Sequence, residues 1–150
     1  MLQKGAIKVY AVDVGAGQLH YKLRQDKCAI NVENVNFRYF DGSFLKDNIN
    51  FAAIDVSFIS LDKILPVAYR NISENGFVLA MIKPQFELEA SEIKKGIVRD
   101  EKLRHKAINK IKKVALDLGF KIISEADSCL KGPRGNLEHF IFLSKKHIVF

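Results

Sequence analysis

Two stretches decide the fold: Phe51-Ala-Ala-Ile-Asp-Val56 and Phe77-Val-Leu-Ala-Met-Ile82. Each is a nearly continuous apolar run, which is typical of a strand in a parallel sheet that helices cover on both faces. The segment 61–71 between them has the character of a helix, and Asn75-Gly76 is a turn signal before the second run. Strands that alternate with helices predict an α/β fold with a largely parallel sheet.

The same alternation continues towards both ends of the chain. We predict six strands, near residues 7–12, 28–32, 51–56, 77–82, 120–125 and 138–143. A short helix is expected at about 18–25, and the helix at 61–71 contains Pro66, which predicts a kink or an early break. The polar segment 87–99 predicts a functional or mobile loop.

The clearest helix is predicted from Asp100, placed as its N-terminal cap, to Leu118. Its apolar residues recur at helical spacing and form one stripe. Gly119 stands where a helix-ending glycine is expected.

The composition is that of a globular domain. The chain has 150 residues, of which 48% are hydrophobic and 27% charged, which suits one domain with a core and argues against disorder. No apolar run approaches the roughly 20 residues that cross a bilayer, and the N-terminus has no signal-peptide pattern. We therefore expect a soluble, cytoplasmic protein with no membrane partner.

The cysteines and histidines show no metal-ligand spacing. Cys28 and Cys129 are far apart, and the four histidines are scattered. We predict no metal site, and we interpret both cysteines as reduced core residues, because free cysteine is often buried.

The chain is basic, with a net charge of +7 and an isoelectric point of about 9.4. A basic domain of this size suits a polyanionic partner such as nucleic acid. A Lys-rich composition is equally compatible with ordinary solubility, so the charge alone leaves an RNA partner open.

An acidic residue and two glycines follow the first predicted strand, in Asp13-Val-Gly-Ala-Gly17. At a strand end, the carboxylate can accept bonds from ribose hydroxyls while the glycines allow the backbone to approach closely. The pattern fits a nucleoside-type ligand, but a plain strand-to-helix turn fits it as well.

Three charged residues lie at the ends of predicted strands. Asp55 and Lys83 close two apolar strands, and Glu138 begins the final one. Ligands bind at the carboxyl edge of a parallel sheet, where an amine partly removed from water could serve as a base. All three residues share an edge only if the last strand is antiparallel to the others.

Each of the three also has an interpretation without chemistry. Asp55 could cap the helix that follows, Lys83 could extend its amine into solvent from a buried stem, and Glu138 could be a solvated surface residue. Their common position at strand ends favours a site.

Five segments together carry a family resemblance. They are Val9-Tyr-Ala-Val-Asp-Val-Gly-Ala-Gly-Gln-Leu19, Ile54-Asp-Val-Ser-Phe-Ile-Ser-Leu61, Ile82-Lys-Pro-Gln-Phe-Glu87, Lys95-Gly-Ile-Val-Arg-Asp100 and Gly132-Pro-Arg-Gly-Asn-Leu-Glu138. In this order they resemble the TlyA (hemolysin A) family of FtsJ-like RNA 2′-O-methyltransferases. The resemblance covers about residues 4–144 and is most specific in the second and third segments.

The resemblance implies a Rossmann-like, S-adenosylmethionine-dependent methyltransferase fold, with a mostly parallel sheet of seven strands and an antiparallel last strand. It also implies methyl transfer to a ribose 2′-hydroxyl of ribosomal RNA, a cytidine in the characterised members. Of the family's Lys-Asp-Lys-Glu tetrad, three residues carry over. Lys83 is then the base, Asp55 tunes and orients it, and Glu138 holds it in place.

The resemblance assigns binding residues as well. S-adenosylmethionine is expected at Asp13, Val14, Asn36 and Asp55, with Asp13 as the ribose-binding acid. Ribosomal RNA or a ribosomal subunit is the expected partner, through the basic residues Lys94, Lys95, Arg99, Arg104 and Arg134. A membrane-damaging activity finds no support, because no amphipathic or spanning apolar segment is visible.

The chain departs from the family at its N-terminus. An S4-like RNA-binding domain, the first tetrad lysine and the central strand with its Gly-rich loop are expected to be absent, unless a separate N-terminal fragment supplies them. The missing strand predicts either a gap in the sheet or two strands re-paired to close it. We expect the 150 residues alone to bind S-adenosylmethionine weakly and to methylate RNA undetectably. The alternative is an inactive remnant or a non-catalytic, basic RNA-binding module.

A second register of the family pattern is rejected. In that register Asp13–Gly17 is the Gly-rich loop of the cofactor site, and Glu33 is the ribose acid. Asn36, Asp55 and Lys83 keep the family order only in the first register.

Overall fold

The computed structural model describes residues 1–93, 95–132 and 134–145. The chain divides into two compact units, Met1–Lys46 and Asp47–Phe150. Each unit has its own sheet, and each is described by itself. The expectation of a single domain stays a prediction.

The first unit is built on a two-stranded parallel sheet. Its strands are β1 (Val9–Val12) and β2 (Ala29–Val32), with the short helix α1 (Tyr21–Arg24) between them in the chain. The helix is shorter than the one predicted at about 18–25, because His20 has extended backbone and its side chain caps the first turn. Two 3₁₀ turns lie at Leu2–Lys4 and Phe37–Tyr39.

The second unit contains a four-stranded mixed sheet in the order β3-β4-β6-β5. Its strands are β3 (Ile49–Ile54), β4 (Ile72–Ile82), β5 (Lys121–Lys131) and β6 (Leu137–Ser144). β3 runs parallel to β4, whereas β6 runs antiparallel to both of its neighbours. The α/β class and the antiparallel last strand are therefore confirmed.

The six strands are distributed over two sheets. Among the described residues, β1 pairs with β2 and β3 pairs with β4, each in parallel. Within the part of the chain that the structure describes, no ladder joins a strand of one sheet to a strand of the other, so the predicted re-pairing of strands is not seen there. A gap in the sheet stays a prediction.

β4 begins earlier than predicted. The Asn75-Gly76 turn signal lies inside the strand, close to a shift in its register against β3. A side chain at Gly76 would meet the side chain of Ile72 at 2.3 Å, so only glycine fits this close approach. The turn signal thus marks an irregularity within the strand. β5 is also longer than predicted and continues to Lys131.

Pro66 interrupts the helix predicted at 61–71. The segment first forms a 3₁₀ turn at Leu61–Lys63, capped by Ser60, and the helix α2 (Leu65–Asn71) then begins with Pro66 in its first turn. Proline is tolerated there, because its missing N–H would have no partner within the helix.

The helix α4 (Glu101–Asp117) has the predicted ends. Asp100 Oδ1 accepts a bond of 2.7 Å from Lys102 N–H, and Gly119 has the left-handed backbone, with φ 97°, that ends a helix. None of the helices formed by the described residues is long and apolar enough to span a membrane.

The core of the second unit lies between α4 and the sheet. Its fully buried members include Val78, Ala80, Ile82, Ala107, Ile111, Ala115, Ile141 and Leu143. Burial of each large aliphatic side chain contributes roughly 1.5–3 kcal/mol. This packing fixes the central strands, and with them the sheet edge at which β4 ends.

The segment predicted as a loop at 87–99 contains local structure. The short helix α3 (Pro84–Glu87) leads into it, and a capping box between Glu89 and Glu92 closes a 3₁₀ turn at Ala90–Glu92.

The prediction that both cysteines are core residues is wrong, since both are exposed. Cys28 lies in the turn before β2, where its N–H donates to Asp26 Oδ1 at 2.8 Å. Cys129 lies on β5, an edge strand, in a stretch of mostly exposed side chains. Neither position is covered by a neighbouring element that could bury a thiol.

Candidate active site

The ends of β3 and β4 bring Asp55 and Lys83 together. The two strands are parallel neighbours, so the chain leaves the sheet at the same edge after each of them. Lys83 Nζ lies 2.7 Å from Asp55 Oδ1 and donates a hydrogen bond of 3.0 Å to Ser57 Oγ. The structure therefore places the lysine in direct contact with a carboxylate and a hydroxyl.

The two charged side chains differ in exposure. The side chain of Lys83 is 14% exposed, whereas that of Asp55 is 64% exposed. An ammonium group held in this way is not simply extended into solvent. The turn that follows is capped by Ser60 and not by Asp55. Asp55 is therefore not the cap of the following turn, and Lys83 does not simply extend its amine into solvent.

Glu138 reaches the same edge from β6. Ile82 pairs with His139 in the antiparallel ladder, so the next position along the ladder sets Glu138 opposite Lys83. Glu138 is buried, with 9% exposure, and is not a solvated surface residue. A Cβ atom at Gly132 would come within 2.8 Å of Glu138 Oε1, so glycine leaves the room that this carboxylate occupies. A direct contact between Glu138 and Lys83 stays a prediction.

Residues 55–60 form a strained loop, called here the 55–60 loop. Phe58 has left-handed backbone, with φ 61°, which is rare for a bulky side chain and costs on the order of 1–3 kcal/mol. Phe58 is 90% exposed, and one side of its ring lies against Phe86 of α3, with the ring centroids 5.1 Å apart. Strain of this kind clusters at functional sites, so it supports a site beside Asp55.

Sequence reasoning missed three residues near this edge: Ser57, Phe58 and Glu87. Glu87 is buried at the end of α3, and burial raises the pKa of its carboxyl group. No local pattern separates a buried glutamate from a solvated one in a polar segment. The only signal was that all three lie within the two most specific segments of the family resemblance.

Three predicted RNA-binding residues are exposed on two loops: Lys95, Arg99 and Arg134. The buried side chain of Asn136 joins these loops. Its Oδ1 accepts a bond of 2.8 Å from Val98 N–H, and its amide donates one of 3.0 Å to the carbonyl of Gly96. The three cations are therefore held in one region of the second unit. Lys94, the fourth residue of this set, lies outside the described residues.

The prediction that Arg104 contacts RNA is wrong. It is 5% exposed, because it faces the sheet, and its guanidinium lies 2.5 Å from Asp127 Oδ2. Three lysines of α4 also have carboxylate partners within 2.7 Å, in the pairs Lys106–Glu92, Lys112–Glu125 and Lys113–Asp117. Much of the positive charge of α4 is thus neutralised within the fold, which leaves the loop residues as the candidates for RNA.

In the first unit, Asp13, Val14 and Asn36 follow the ends of β1 and β2. Asp13 Oδ1 accepts a hydrogen bond of 2.7 Å from Gly15 N–H. The backbone carbonyl oxygen of Asp13 accepts one of 3.0 Å from the N–H of Val35, the residue before Asn36. The second bond brings Asp13 and Asn36 close together along the backbone. Val14 is exposed. Asp55, the fourth residue predicted for the cofactor, belongs to the second unit.

A cavity of about 170 Å³ lies beside Asp13. Its walls include Val12, Asp13, Gln18, Leu19 and Asn31. A carboxylate beside a cavity at the end of a strand fits the hydroxyl groups of a ribose. Glu33 also borders the cavity, but its carboxylate already accepts a bond of 2.9 Å from Gly17 N–H, and this bond lowers its pKa.

Comparison with known sequences gives consistent matches. The sequence profile of the FtsJ-like methyltransferase family matches residues 1–145. The chain is 41% identical to Hemolysin A of Brachyspira hyodysenteriae, over 94% of this chain and 61% of that protein. It is 33% identical to the 16S/23S rRNA (cytidine-2′-O)-methyltransferase TlyA of Mycobacterium tuberculosis, over 95% of this chain and 54% of that protein. The chain thus spans between half and two thirds of the length of these relatives.

Solved structures agree with the sequence matches. A candidate hemolysin from Streptococcus thermophilus superposes with a TM-score of 0.94 at 42% identity, over 98% of this chain and 54% of that one. A Listeria monocytogenes structure described as an S-adenosylmethionine-dependent methyltransferase gives a TM-score of 0.65 at 16% identity, over 95% of this chain and 82% of that one, which shows a shared fold alone. The Rossmann-like methyltransferase fold expected from the sequence is confirmed.

Proposed function

The chain belongs to the FtsJ-like methyltransferase family, and we propose that it transfers a methyl group from S-adenosylmethionine to a ribose 2′-hydroxyl of ribosomal RNA, with a cytidine as the target. The observation that carries the proposal is the contact of Lys83 with Asp55 and Ser57 at the carboxyl edge of the sheet. An amine held at such an edge can take the proton that the hydroxyl loses as its oxygen attacks.

Lys83 acts as the base: its Nζ accepts the proton that the 2′-hydroxyl loses as its oxygen attacks. When bound, S-adenosylmethionine would supply the methyl group and, as a sulfonium, the leaving group. Asp55, 2.7 Å from Nζ, orients the amine and stabilises the ammonium group that forms. Glu138 lies opposite in the ladder and limits the movement of the lysine.

The first unit provides the proposed contacts for the adenosine part of the methyl donor. Asp13 accepts bonds from the ribose hydroxyls, while Val14 and Asn36 lie on the adenine side. The cavity beside Asp13 supports this assignment, as does the position of Asp13 directly after β1. Asp55 serves the reacting end.

The RNA contacts are proposed for the second unit. Lys95, Arg99 and Arg134 are exposed cations that can pair with phosphates, so binding should weaken strongly with added salt. The exposed ring of Phe58 offers a stacking surface for an unpaired base beside Lys83, as aromatic side chains do in sites for single-stranded RNA. A ribosomal partner accords with the cytoplasmic location expected from the sequence.

The 150 residues taken alone should bind S-adenosylmethionine weakly and methylate RNA undetectably. The proposed contacts hold the ribose and adenine, whereas positioning of the methionine end is not assigned to any described residue. Positioning can supply about 7–11 kcal/mol of the barrier reduction in a transfer reaction. Titration calorimetry on the 150 residues, and on the full-length protein with any natural flanking sequence, separates weak from full binding. Robust methylation by the 150 residues would contradict this part of the proposal.

Methyl transfer to ribosomal RNA tests the proposed function directly. The full-length protein, meaning this chain with any natural flanking sequence, is incubated with ribosomal subunits and labelled S-adenosylmethionine. Nuclease digestion and mass spectrometry should then find a 2′-O-methylated cytidine. An RNA fragment with a 2′-deoxy target nucleotide is the matched control and should accept no label. Label in a base, or equal label in the deoxy control, would contradict ribose methylation.

A further inference from the structure

Glu87 is a buried acid that the proposed chemistry does not use. Its side chain is 1% exposed. Burying a carboxylate is costly unless hydrogen bonds and a partner charge compensate it. The carboxylate must therefore make contacts that the fold or the function needs.

The contacts of Glu87 converge on the end of the 55–60 loop. Its Oε1 accepts a hydrogen bond of 2.9 Å from Leu61 N–H, and its Oε2 accepts one from the Ser60 hydroxyl. Lys110 of α4 donates to the Glu87 carbonyl at 2.9 Å, and its Nζ lies 3.6 Å from Oε2. The glutamate thus ties the loop to both α3 and α4.

Residues 83–87 contact residues 55–61 along the whole length of both segments. At one end Lys83 contacts Asp55 and Ser57, in the middle Phe86 packs against Phe58, and at the other end Glu87 holds Ser60 and Leu61. The strained backbone at Phe58 lies between the two polar ends. Left-handed backbone at a bulky residue persists only when its surroundings over-determine it.

We propose that Glu87 is a positioning residue, which anchors the far end of the 55–60 loop so that Asp55 and Ser57 stay in contact with Lys83. Its effect on catalysis rests on the proposed function, whereas its effect on the loop does not. Without the anchor, the loop relaxes at Phe58 and the Lys83 amine loses its fixed orientation.

The shape and acceptor atoms of Glu87 matter more than its charge. Burial raises the pKa of this carboxyl group, and both of its oxygens act as hydrogen-bond acceptors for the loop. Glutamine has the same shape and keeps an acceptor for Leu61 N–H. Glu87→Gln should therefore preserve the anchor that Glu87→Ala removes.

Backbone NMR relaxation on the 150-residue chain tests the loop without any assay of activity. In Glu87→Ala, the backbone order parameters of Ser57 and Phe58 should fall below those of the wild type, although neither residue is hydrogen-bonded to Glu87. Glu87→Gln should keep the wild-type order parameters. Glu92→Ala, which removes an acid paired with Lys106 instead, is the matched control and should leave the loop unchanged.

Kinetics on the full-length protein test the consequence for catalysis. Glu87→Ala should lower kcat about 100-fold, the effect of a misplacement of about 1 Å, with KM for S-adenosylmethionine unchanged. Glu87→Gln should restore most of kcat. Ser60→Ala removes one bond to the carboxylate and provides a milder variant if Glu87→Ala does not fold.

The outcomes separate the two claims. Unchanged order parameters at Ser57 and Phe58 in both Glu87→Ala and Ser60→Ala would overturn the positioning role, whatever the activity. Lower order parameters in Glu87→Ala, together with a wild-type protein that methylates no RNA, would leave the loop anchor standing and overturn the proposed function. A loss of kcat in Glu87→Gln as large as in Glu87→Ala would show that charge, and not position, is what Glu87 supplies.

Discussion

Two ion pairs of the second unit have similar distances between cation and carboxylate but different surroundings. Lys83 and Asp55 meet 2.7 Å apart at the ends of two parallel strands, beside a strained loop, and the carboxylate is 64% exposed. Arg104 and Asp127 meet 2.5 Å apart between α4 and β5, where the arginine side chain is 6% exposed. His139 also contacts Asp127, at 2.6 Å, so the second pair is part of a network that joins helix and sheet.

The surroundings of the two pairs distinguish a functional ion pair from a structural one. A short distance between cation and carboxylate is common to both. Only the first pair lies where ligands reach a parallel sheet, and only the first has strained backbone and an exposed aromatic ring beside it. We therefore expect removal of the first pair to affect activity and removal of the second to affect stability.

Arg104→Ala should cause the largest loss of stability. Removing one member of a buried ion pair lowers the free energy of unfolding more than breaking a surface pair does. Because Asp127 is half exposed, the loss should be about 2–3 kcal/mol. Urea unfolding monitored by circular dichroism measures it. Lys113→Ala, which breaks an exposed pair on the same helix, should change the free energy of unfolding by less than about 0.5 kcal/mol. Equal losses in the two variants would contradict the assignment of a structural role to Arg104.

Acid should weaken the network around Arg104. The hydrogen bond from Arg104, and then that from His139, holds the pKa of Asp127 below its usual range. A carboxyl group with a lowered pKa in the folded state stabilises the fold above its unfolded pKa and loses this contribution as the pH falls through the folded value. The free energy of unfolding should therefore fall on acidification below about pH 4.

The acid-dependent loss should be smaller in Arg104→Ala than in the wild type, as urea titrations at neutral and acid pH can show. Glu87 has the opposite sign, because burial raises its pKa and the folded state gains stability from it as the pH falls from neutrality. Glu87 is present in both proteins, so its contribution cancels in the comparison. An identical loss of unfolding free energy at acid pH in both proteins would show that the lowered pKa of Asp127 does not depend on Arg104.

The smallest expected effect concerns the strain beside the Lys83 pair. Phe58→Gly and Phe58→Ala both remove the ring, but only glycine adopts left-handed backbone without cost. Phe58→Gly should therefore be more stable than Phe58→Ala by about 1 kcal/mol, as thermal or urea unfolding will show. Both variants should bind RNA more weakly. Equal stability of the two would mean that the loop is not strained at this position.

Much of the fold and the edge residues of the site followed from the sequence. Apolar runs marked the strands, and the polar residues that end them, such as Asp55 and Lys83, lie at the predicted edge. An antiparallel last strand was needed to bring Glu138 there, and the family resemblance supplied that information. Strand periodicity alone does not give the direction of a strand.

The rest depended on contacts between distant residues. Arg104 was interpreted as a surface cation because its own segment does not reveal that it faces β5. Both cysteines were assigned to the core on a statistical preference, although Cys129 lies on an edge strand. The left-handed backbone of Phe58 and the burial of Glu87 result from packing between the 55–60 loop and α3, which no local pattern encodes.

The activity of Lys83→Ala in the full-length protein tests whether Lys83 is the base. If Lys83 is the base, methyl transfer to ribosomal RNA should fall at least about 100-fold, the usual lower contribution of a positioned base. Calorimetric affinity for S-adenosylmethionine should stay within about 3-fold of the wild type, because the proposed adenosine contacts lie in the first unit. Lys113→Ala removes an exposed lysine elsewhere and should keep full activity. A Lys83→Ala protein that methylates ribosomal RNA at half the wild-type rate or more would contradict a role of Lys83 as the base.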